Sequence, residues 1–478
     1  MRPRAGKDRK MENQKQKNST ATPLHCQVIK AKKIPPMIEQ GMSATRKAEG
    51  QGLNTFNAYS SWPVLKQEAL YGLAGDVVKT IEPHTESDPV ALLINFLACF
   101  GNVVGDGPHF LVESTVHPLR LNAVIVGDTS KGRKGTSWER VEELFGQVDA
   151  NWVDGHIFSG LSSGEGLIWA VRDEIKRKEP IKKGGKVTGY QEVVADEGVR
   201  DKRLLVLETE FSSVLKVAGR DGNTLSAVVR QSWDTGRLRI LTKNSPANAT
   251  GAHISILGHI TKEELLKHLD STEASNGFGN RIVWVCVKRS KCLPEGGGHV
   301  DLSPLVARLK QVVDFAKGVG EVKRDEEARA IWYEVYPSLS EGKPGLLGAL
   351  TARAEAYVMR IACIYALLDL SPIIRQEHLL ASLALWDYCE RSTGYIFGDA
   401  TGDCVADRIL QAIRQNPEEG LSRSDIYSTV FRRNVKSGKI DTAVLLLLSL
   451  GRVRVGRKDT GGRPTEVILL NNYTQKTY

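Results

Sequence analysis

The segment from Leu121 to Phe145 restricts the fold of this chain more than any other. Leu121 to Val126 is an unbroken apolar run of strand length that stops at Gly127; the polar, glycine-rich segment Asp128 to Thr136 then leads into a helical pattern over Trp138 to Phe145. Two further apolar runs have the same character: Arg203 to Leu207 closes on Glu208 and Glu210, and His253 to Leu257 closes on Gly258 and His259. Ile282 to Val287 adds another strand. Helical stretches separate these runs, which predicts an α/β domain with a mainly parallel sheet. Upstream, Val90 to Val104 reads as a buried helix running into Gly101, Gly105 and Gly107, with short strands after it. Lys176 to Lys202, rich in Lys, Gly and Glu, reads as a surface insertion or loop.

The turn after the first strand, Gly127-Asp-Thr-Ser-Lys-Gly-Arg-Lys-Gly-Thr-Ser137, is similar to G-x-x-x-x-G-K-[ST]. It has one extra residue before the lysine and Gly135 between the lysine and the hydroxyls. Gly127, Gly132 and Gly135 let backbone N–H groups turn toward phosphate oxygens, and the following helix offers its positive end. Lys134 is then the phosphate-binding cation, with Lys131 and Arg133 as alternatives, and Thr136 or Ser137 holds a magnesium ion. The expected cofactors are ATP and Mg2+. Glu208 takes the metal-linked position at the strand end and Glu210 the general base, with the two exchangeable. His259 falls where a γ-phosphate sensor would sit. Arg281, after the turn Asn276-Gly-Phe-Gly-Asn, is the candidate for a catalytic arginine projected into a neighbouring subunit, with Arg230 and Arg237 as alternatives.

Charge divides the chain. The net charge is +9 over 478 residues, yet Met1 to Gly50 and Asp399 to Tyr478 carry the excess of cations. The first 60 residues lack periodicity and read as a disordered basic tail. The last 80 read as helix, capped helix, helix and a strand pair turning at Gly461 and Gly462. Arg432, Arg433, Lys436 and Lys439 lie at the start of the third helix, and Arg454, Arg457, Lys458 and Arg463 on the hairpin. That is the charge layout of a winged helix gripping DNA. The domains expected are a tail over 1–60, an NTPase core over 61–300, a helical subdomain over 301–398 and the winged helix over 399–478. The seven cysteines show no metal-ligand spacing, and no apolar run is long enough to span a bilayer, so a cytoplasmic protein without a membrane partner is expected.

Several motifs together carry a family resemblance: Asn95-Phe-Leu-Ala to Gly105, Gly127 to Ser137, Ser159-Gly-Leu-Ser-Ser-Gly-Glu-Gly166, Arg220-Asp-Gly-Asn223 and Gly277-Phe-Gly-Asn-Arg281. Across Trp62 to Thr393 the chain resembles a family of RecA-like P-loop domains of formally unknown function. Its members occur in prophages, plasmids and integrative elements beside primase-polymerase modules. The resemblance implies a ring-forming homo-oligomer, a hexamer among the sizes open, acting as a replicative helicase-type ATPase. Lys134, Thr136, Glu208 and Glu210 match its nucleotide site. The chain has no acidic triad or zinc segment of a primase, so a priming partner would be separate. The rival reading is a non-enzymatic initiator or regulator that binds nucleotide and uses the winged helix on DNA.

Overall fold

The strands predicted around the glycine loop assemble into one sheet. In chain order the strands of this region, predicted or not, are β1 (Ala123–Gly127), β2 (Ile157–Phe158), the separate ribbon pair β3 (Ile175–Lys183) and β4 (Lys186–Asp196), then β5 (Arg203–Glu208), β6 (His253–Thr261) and β7 (Val283–Cys286). Five of them form a sheet of order β7-β1-β6-β5-β2 in which every pair is parallel. β1 is buried throughout and β6 at all but its last residue, which is why both read as apolar runs rather than alternating ones. Ala123, Ile125, Leu205 and Leu257 join one apolar layer, and Val124, Val126, Leu204, Val206, Ile254 and Ile256 the layer on the opposite face. This computed structural model describes residues 61–471, apart from 242–246, 270, 344, 399 and 459–463; the N-terminal tail lies outside the described residues.

The first layer is built on α1 (Pro89–Val103). Asp88 caps it by accepting the Val90 N–H at 3.0 Å, Pro89 stands at the first position, and every residue from Val90 to Val103 is buried. Its one late amide is fully used. Asn102 Nδ2 donates to the carbonyls of Leu204 and His253 at 3.0 and 3.1 Å, and Asn102 Oδ1 accepts from Trp152 Nε1 at 3.0 Å. The helix is thereby pinned to the amino ends of β5 and β6. Beside it lies α2 (Lys134–Val148), while α3 (Gly164–Ala170), α4 (Phe211–Ala218) and α5 (Leu225–Asp234) contribute to the other layer.

The helices expected as a separate subdomain beyond residue 300 complete this core instead. α6 (Ala354–Leu368) is buried along nearly its whole length and belongs to the same apolar cluster as α1 and β1. The Tyr388 hydroxyl of α7 (Gln376–Phe397) donates to the Cys286 carbonyl of β7 at 2.8 Å. Arg360, wholly buried, donates to the carbonyls of Arg120 and Trp233 at 2.8 and 3.0 Å and stacks 3.7 Å from the centre of the Trp233 ring. Burial pushes its guanidinium down to about 9. A shared core of this kind leaves no packing boundary at residue 300.

The final segment runs α8 (Cys404–Gln415), β8 (Leu421–Ser422), a short helix over Arg423–Asp425 that continues as a π-helix over Ile426–Val430, α9 (Ser437–Ser449), β9 (Val453–Lys458) and β10 (Thr465–Leu470). Its sheet has the order β8-β10-β9 and is antiparallel, over an apolar cluster of its own that includes Ile409, Ile413, Ile440, Val444 and Ile468. The expected turn at Gly461 and Gly462 lies outside the described residues. Among the described residues no helix is long and apolar enough to cross a membrane.

Candidate phosphate-binding site

The loop after β1 is tight. Thr129 Oγ1 accepts the Lys131 N–H at 3.1 Å over the single 3-10 turn Ser130–Gly132, and Arg133 takes a left-handed conformation (φ 53°, ψ 32°) before α2 begins at Lys134. That conformation strains a residue with a Cβ, and the surroundings hold it. Arg133 Nε donates to Glu86 Oε2 at 2.6 Å, and Ser87 Oγ donates to the Arg133 carbonyl at 3.2 Å. The Leu293 N–H, Arg289 and Arg133 together hold the Glu86 carboxyl down to about 2. Arg133 is thus committed outward, and Lys131 is exposed. Lys134 alone of the three cations folds back into the loop: it is 9% exposed, with Nζ donating to the Thr129 carbonyl at 3.1 Å. A Cβ on Gly127 would stand 3.2 Å from that Nζ, so glycine leaves room for the ammonium. Burial lowers the Lys134 pKa, against the opposing pull of Glu264 and Asp128.

Above the lysine, the amino end of α2 is open. No side chain caps it, and the first intrahelical bond is Ser137 N–H to the Arg133 carbonyl at 3.2 Å. The N–H groups of Lys134, Gly135 and Thr136 therefore lack helical partners. A Cβ on Gly135 would meet nothing within 4 Å, and Thr136 is half-buried. Ser137 corrects the sequence expectation. Its hydroxyl is fully buried, donates to the Lys134 carbonyl at 2.6 Å and accepts from Asn95 Nδ2 at 3.1 Å, so it fastens α2 to α1 rather than facing a metal. The residue lies one position past the open turn, and the helical rotation points it inward.

The two acids stand apart from this lysine. β6 separates β5 from β1, which puts Glu208 on a strand about 10 Å from β1, and the register sets it level with Gly258 and Val124, below Gly127. Glu208 is buried, and its Oε1 accepts the Leu161 N–H at 2.5 Å. Glu210 is exposed at the amino end of α4. The carboxylates that act on Lys134 are Glu264 and Asp128, which sequence reasoning passed over. A signal for Glu264 was present: Thr261-Lys-Glu-Glu264 is a capping box, and both of its reciprocal bonds form, with Thr261 level with Gly127. His259 is buried on the α1 face of β6, its Nε2 without a partner among the described residues, and its pKa is pushed down to about 4 by burial and by Lys134.

The Ser159 to Gly166 motif follows β2 and is a structural brace for Glu208. Leu161 supplies the N–H just described, Ser163 Oγ accepts the Gly166 N–H at 3.0 Å to cap α3, and Glu165 accepts from Thr224 Oγ1 at 2.9 Å. A Cβ on Gly164 would fall 2.6 Å from Thr224 Oγ1 and 2.7 Å from a Val228 methyl, so only glycine lets α3 and α5 approach.

Arg281 is a second correction. Instead of projecting from an edge, it lies 7% exposed at the amino end of β7, the opposite end of the sheet from the loop. Nε and Nη2 donate to the two oxygens of Asp234 at 3.1 and 2.7 Å, and Nη1 to the Gly277 carbonyl at 2.6 Å. The exposed strand end that the glycine-rich turn suggested is roofed by α5. Arg230 donates to the Asn276 carbonyl at 3.0 Å, while Arg237 is exposed. Among the described residues, Asp369, Glu377 and His378 form the one cluster with metal-ligand character. However, His378 Nδ1 accepts the Arg375 N–H, so Nε2 carries the proton that faces Asp369, and neither ring nitrogen is open to a metal.

At the C-terminus the expected cations that fall among the described residues are exposed. Arg432 and Arg433 occupy a left-handed turn (φ 47° and 64°) before α9, Lys436 immediately precedes that helix without a side-chain cap bond, and Lys439 lies in its first turn. Arg454, Arg457 and Lys458 line β9, where Lys458 pairs with Glu419 at 2.8 Å; the others make no ion pair among the described residues. Arg463 lies outside the described residues. No protein-family model matches the chain, and no curated protein matches it.

Proposed function

We propose that this chain is a P-loop nucleoside triphosphatase with a RecA-like core that acts on DNA, a replicative helicase-type motor of a mobile element. One observation carries the reading: the Lys134 ammonium lies folded over Gly127 beneath the uncapped amino end of α2. Three free N–H groups and a desolvated cation at one helix terminus are complementary to a phosphate chain and to little else. ATP would be held by the backbone of Lys134 to Thr136 and by the Lys134 side chain. Thr136 would hold Mg2+, which neutralises charge on the transferred phosphoryl group. Glu210, exposed, is the better placed of the two acids to orient water, while Glu208 fixes the neighbouring loop through Leu161.

The five-stranded parallel sheet supports the RecA-like assignment, since the loop and the acids both lie at its carboxyl edge. The order helix, strand, helix, helix, strand, strand over residues 404–470, with the first strand pairing to the last, supports a winged helix, and its exposed cations support DNA as partner. A ring-forming homo-oligomer, with a hexamer among the sizes open, would need a trans-acting cation other than Arg281. Priming would fall to a separate protein.

A second reading has its own support: Glu208 is occupied by Leu161, and neither acid acts on Lys134, as a nucleotide-binding initiator without turnover would permit. ATP turnover by wild type and Lys134→Ala, with and without single-stranded and duplex DNA, separates the two. DNA-stimulated turnover that Lys134→Ala abolishes is expected for the motor. ATP binding without turnover, in folded protein, would establish the initiator instead.

A further inference from the structure

Neither the phosphate site nor the C-terminal module uses the β3–β4 ribbon. The sequence suggested a loop here, but nine and eleven residues pair as antiparallel strands across Gly184 and Gly185, both with positive φ (58° and 78°) as a two-residue hairpin turn requires. At about 3.3 Å per residue the arm is about 30 Å long. Its base is fastened. Arg172 donates to both oxygens of Asp196 at 2.9 and 2.8 Å, and Lys202 Nζ donates to the carbonyls of Val171 and Arg172 and to Asp173 at 2.8, 2.7 and 2.8 Å. The Arg172 guanidinium also lies 3.9 Å over the half-exposed Trp169 ring.

The register decides what the arm presents. Residues paired across an antiparallel ladder share a face, so Lys176, Lys178 and Lys182 stand on the same side as Glu192, which pairs with Lys178, and as Val194, Tyr190 and Val187. Those three apolar side chains are 50%, 68% and 50% exposed. At the tip, Lys182, Lys183 and Lys186 flank the glycine turn with no acid among them. A solvated surface ribbon has no need of an apolar row bordered by lysines, and a buried one would not expose it.

We infer that this face binds single-stranded DNA, with bases packed on Tyr190 and its flanking valines and the lysines following the phosphates. Duplex DNA offers no base faces to Tyr190. Addition of a peptide strand is hindered at β3, where Pro180 lacks an N–H and register shifts interrupt the ladder at Ile175/Lys176 and Ile181/Lys182. The inference rests on the DNA half of the proposed function and not on ATP turnover.

The test is fluorescence anisotropy of full-length protein with labelled oligo-dT and, in parallel, a duplex, over a salt series without nucleotide. Lys176→Ala/Lys178→Ala/Lys182→Ala, the three lysines of this face, should weaken oligo-dT binding and reduce its log–log salt slope by about 2. Tyr190→Ala should weaken it about fivefold or more, Tyr190→Phe should not, and duplex binding should be unchanged throughout. Because the substituted side chains are exposed, urea unfolding midpoints should match wild type and exclude misfolding. If duplex binds normally while the triple variant and Tyr190→Ala hold oligo-dT like wild type, this inference falls and the DNA reading stands. If wild type binds neither DNA, both fall. Poly-glutamate competing as well as oligo-dT, or oligo-uridine binding more tightly, would also overturn the choice of single-stranded DNA.

Discussion

Replacing Arg281 with alanine tests whether this arginine is a brace or a catalytic finger. The side chain makes two bonds to Asp234, one to the Gly277 carbonyl and one to Asn280 Oδ1, and only 8% of it is exposed. Its removal leaves a partly exposed carboxylate and a buried carbonyl without their donor. A buried ion pair broken on one side costs about 3–5 kcal/mol, but Asp234 is 35% exposed and water will repair part of the loss. We therefore expect about 3 kcal/mol of destabilisation, read as a fall in the urea midpoint on the order of 1 M. Arg281→Lys keeps the charge but not the fork, and should recover less than half. A finger predicts a different pattern: wild-type stability, lost turnover, and recovery of activity when the Arg281→Ala protein is mixed with Lys134→Ala. That pattern would refute the brace.

Three further outcomes follow from the geometry. Gly135→Ala should leave the unfolding free energy unchanged or raise it by up to about 1 kcal/mol, since a Cβ there meets nothing, yet abolish the stabilisation by Mg-ATP expected in thermal melts of wild type. The His259 pKa lies near 4 when folded against 6.5 when unfolded, so the unfolded chain binds the extra proton between those values and stability is lost as the pH is lowered through that window. The loss from pH 7.5 to 5 should be about 2 kcal/mol for this group, and His259→Gln should flatten the slope of urea midpoint against pH. Arg454→Ala/Arg457→Ala should lower the salt slope for duplex DNA by about 2 while leaving oligo-dT affinity less affected than the ribbon variants do.

Much of the fold was legible because burial on both faces leaves a local trace. The runs at Leu121, Arg203, His253 and Ile282 became strands within a residue or two of their expected starts, and β6 continued past Leu257 to Thr261 because Gly258 lets Phe211 pack where a Cβ would stand 2.5 Å from its ring. The ribbon was not legible, since lysines and glycines obscure a pairing whose stability comes from its fastened base. The packing of the later helices was not legible for a similar reason: the helical period of Ala354–Leu368 shows an apolar helix but not that its partner is α1.

At the phosphate loop the division is sharper. By itself the sequence determined that a strand, a glycine turn and a basic helix start would follow one another, because backbone freedom and hydrophobic period are local properties. It put Lys134 first but left Lys131 and Arg133 open as alternatives. Only the tertiary structure chose among them: Glu86, forty-seven residues before Arg133, draws that side chain outward, while burial folds Lys134 inward. Likewise a strand-end arginine reads the same in sequence whether solvent or Asp234 faces it, and the partner that decides its chemistry comes from a distant part of the chain.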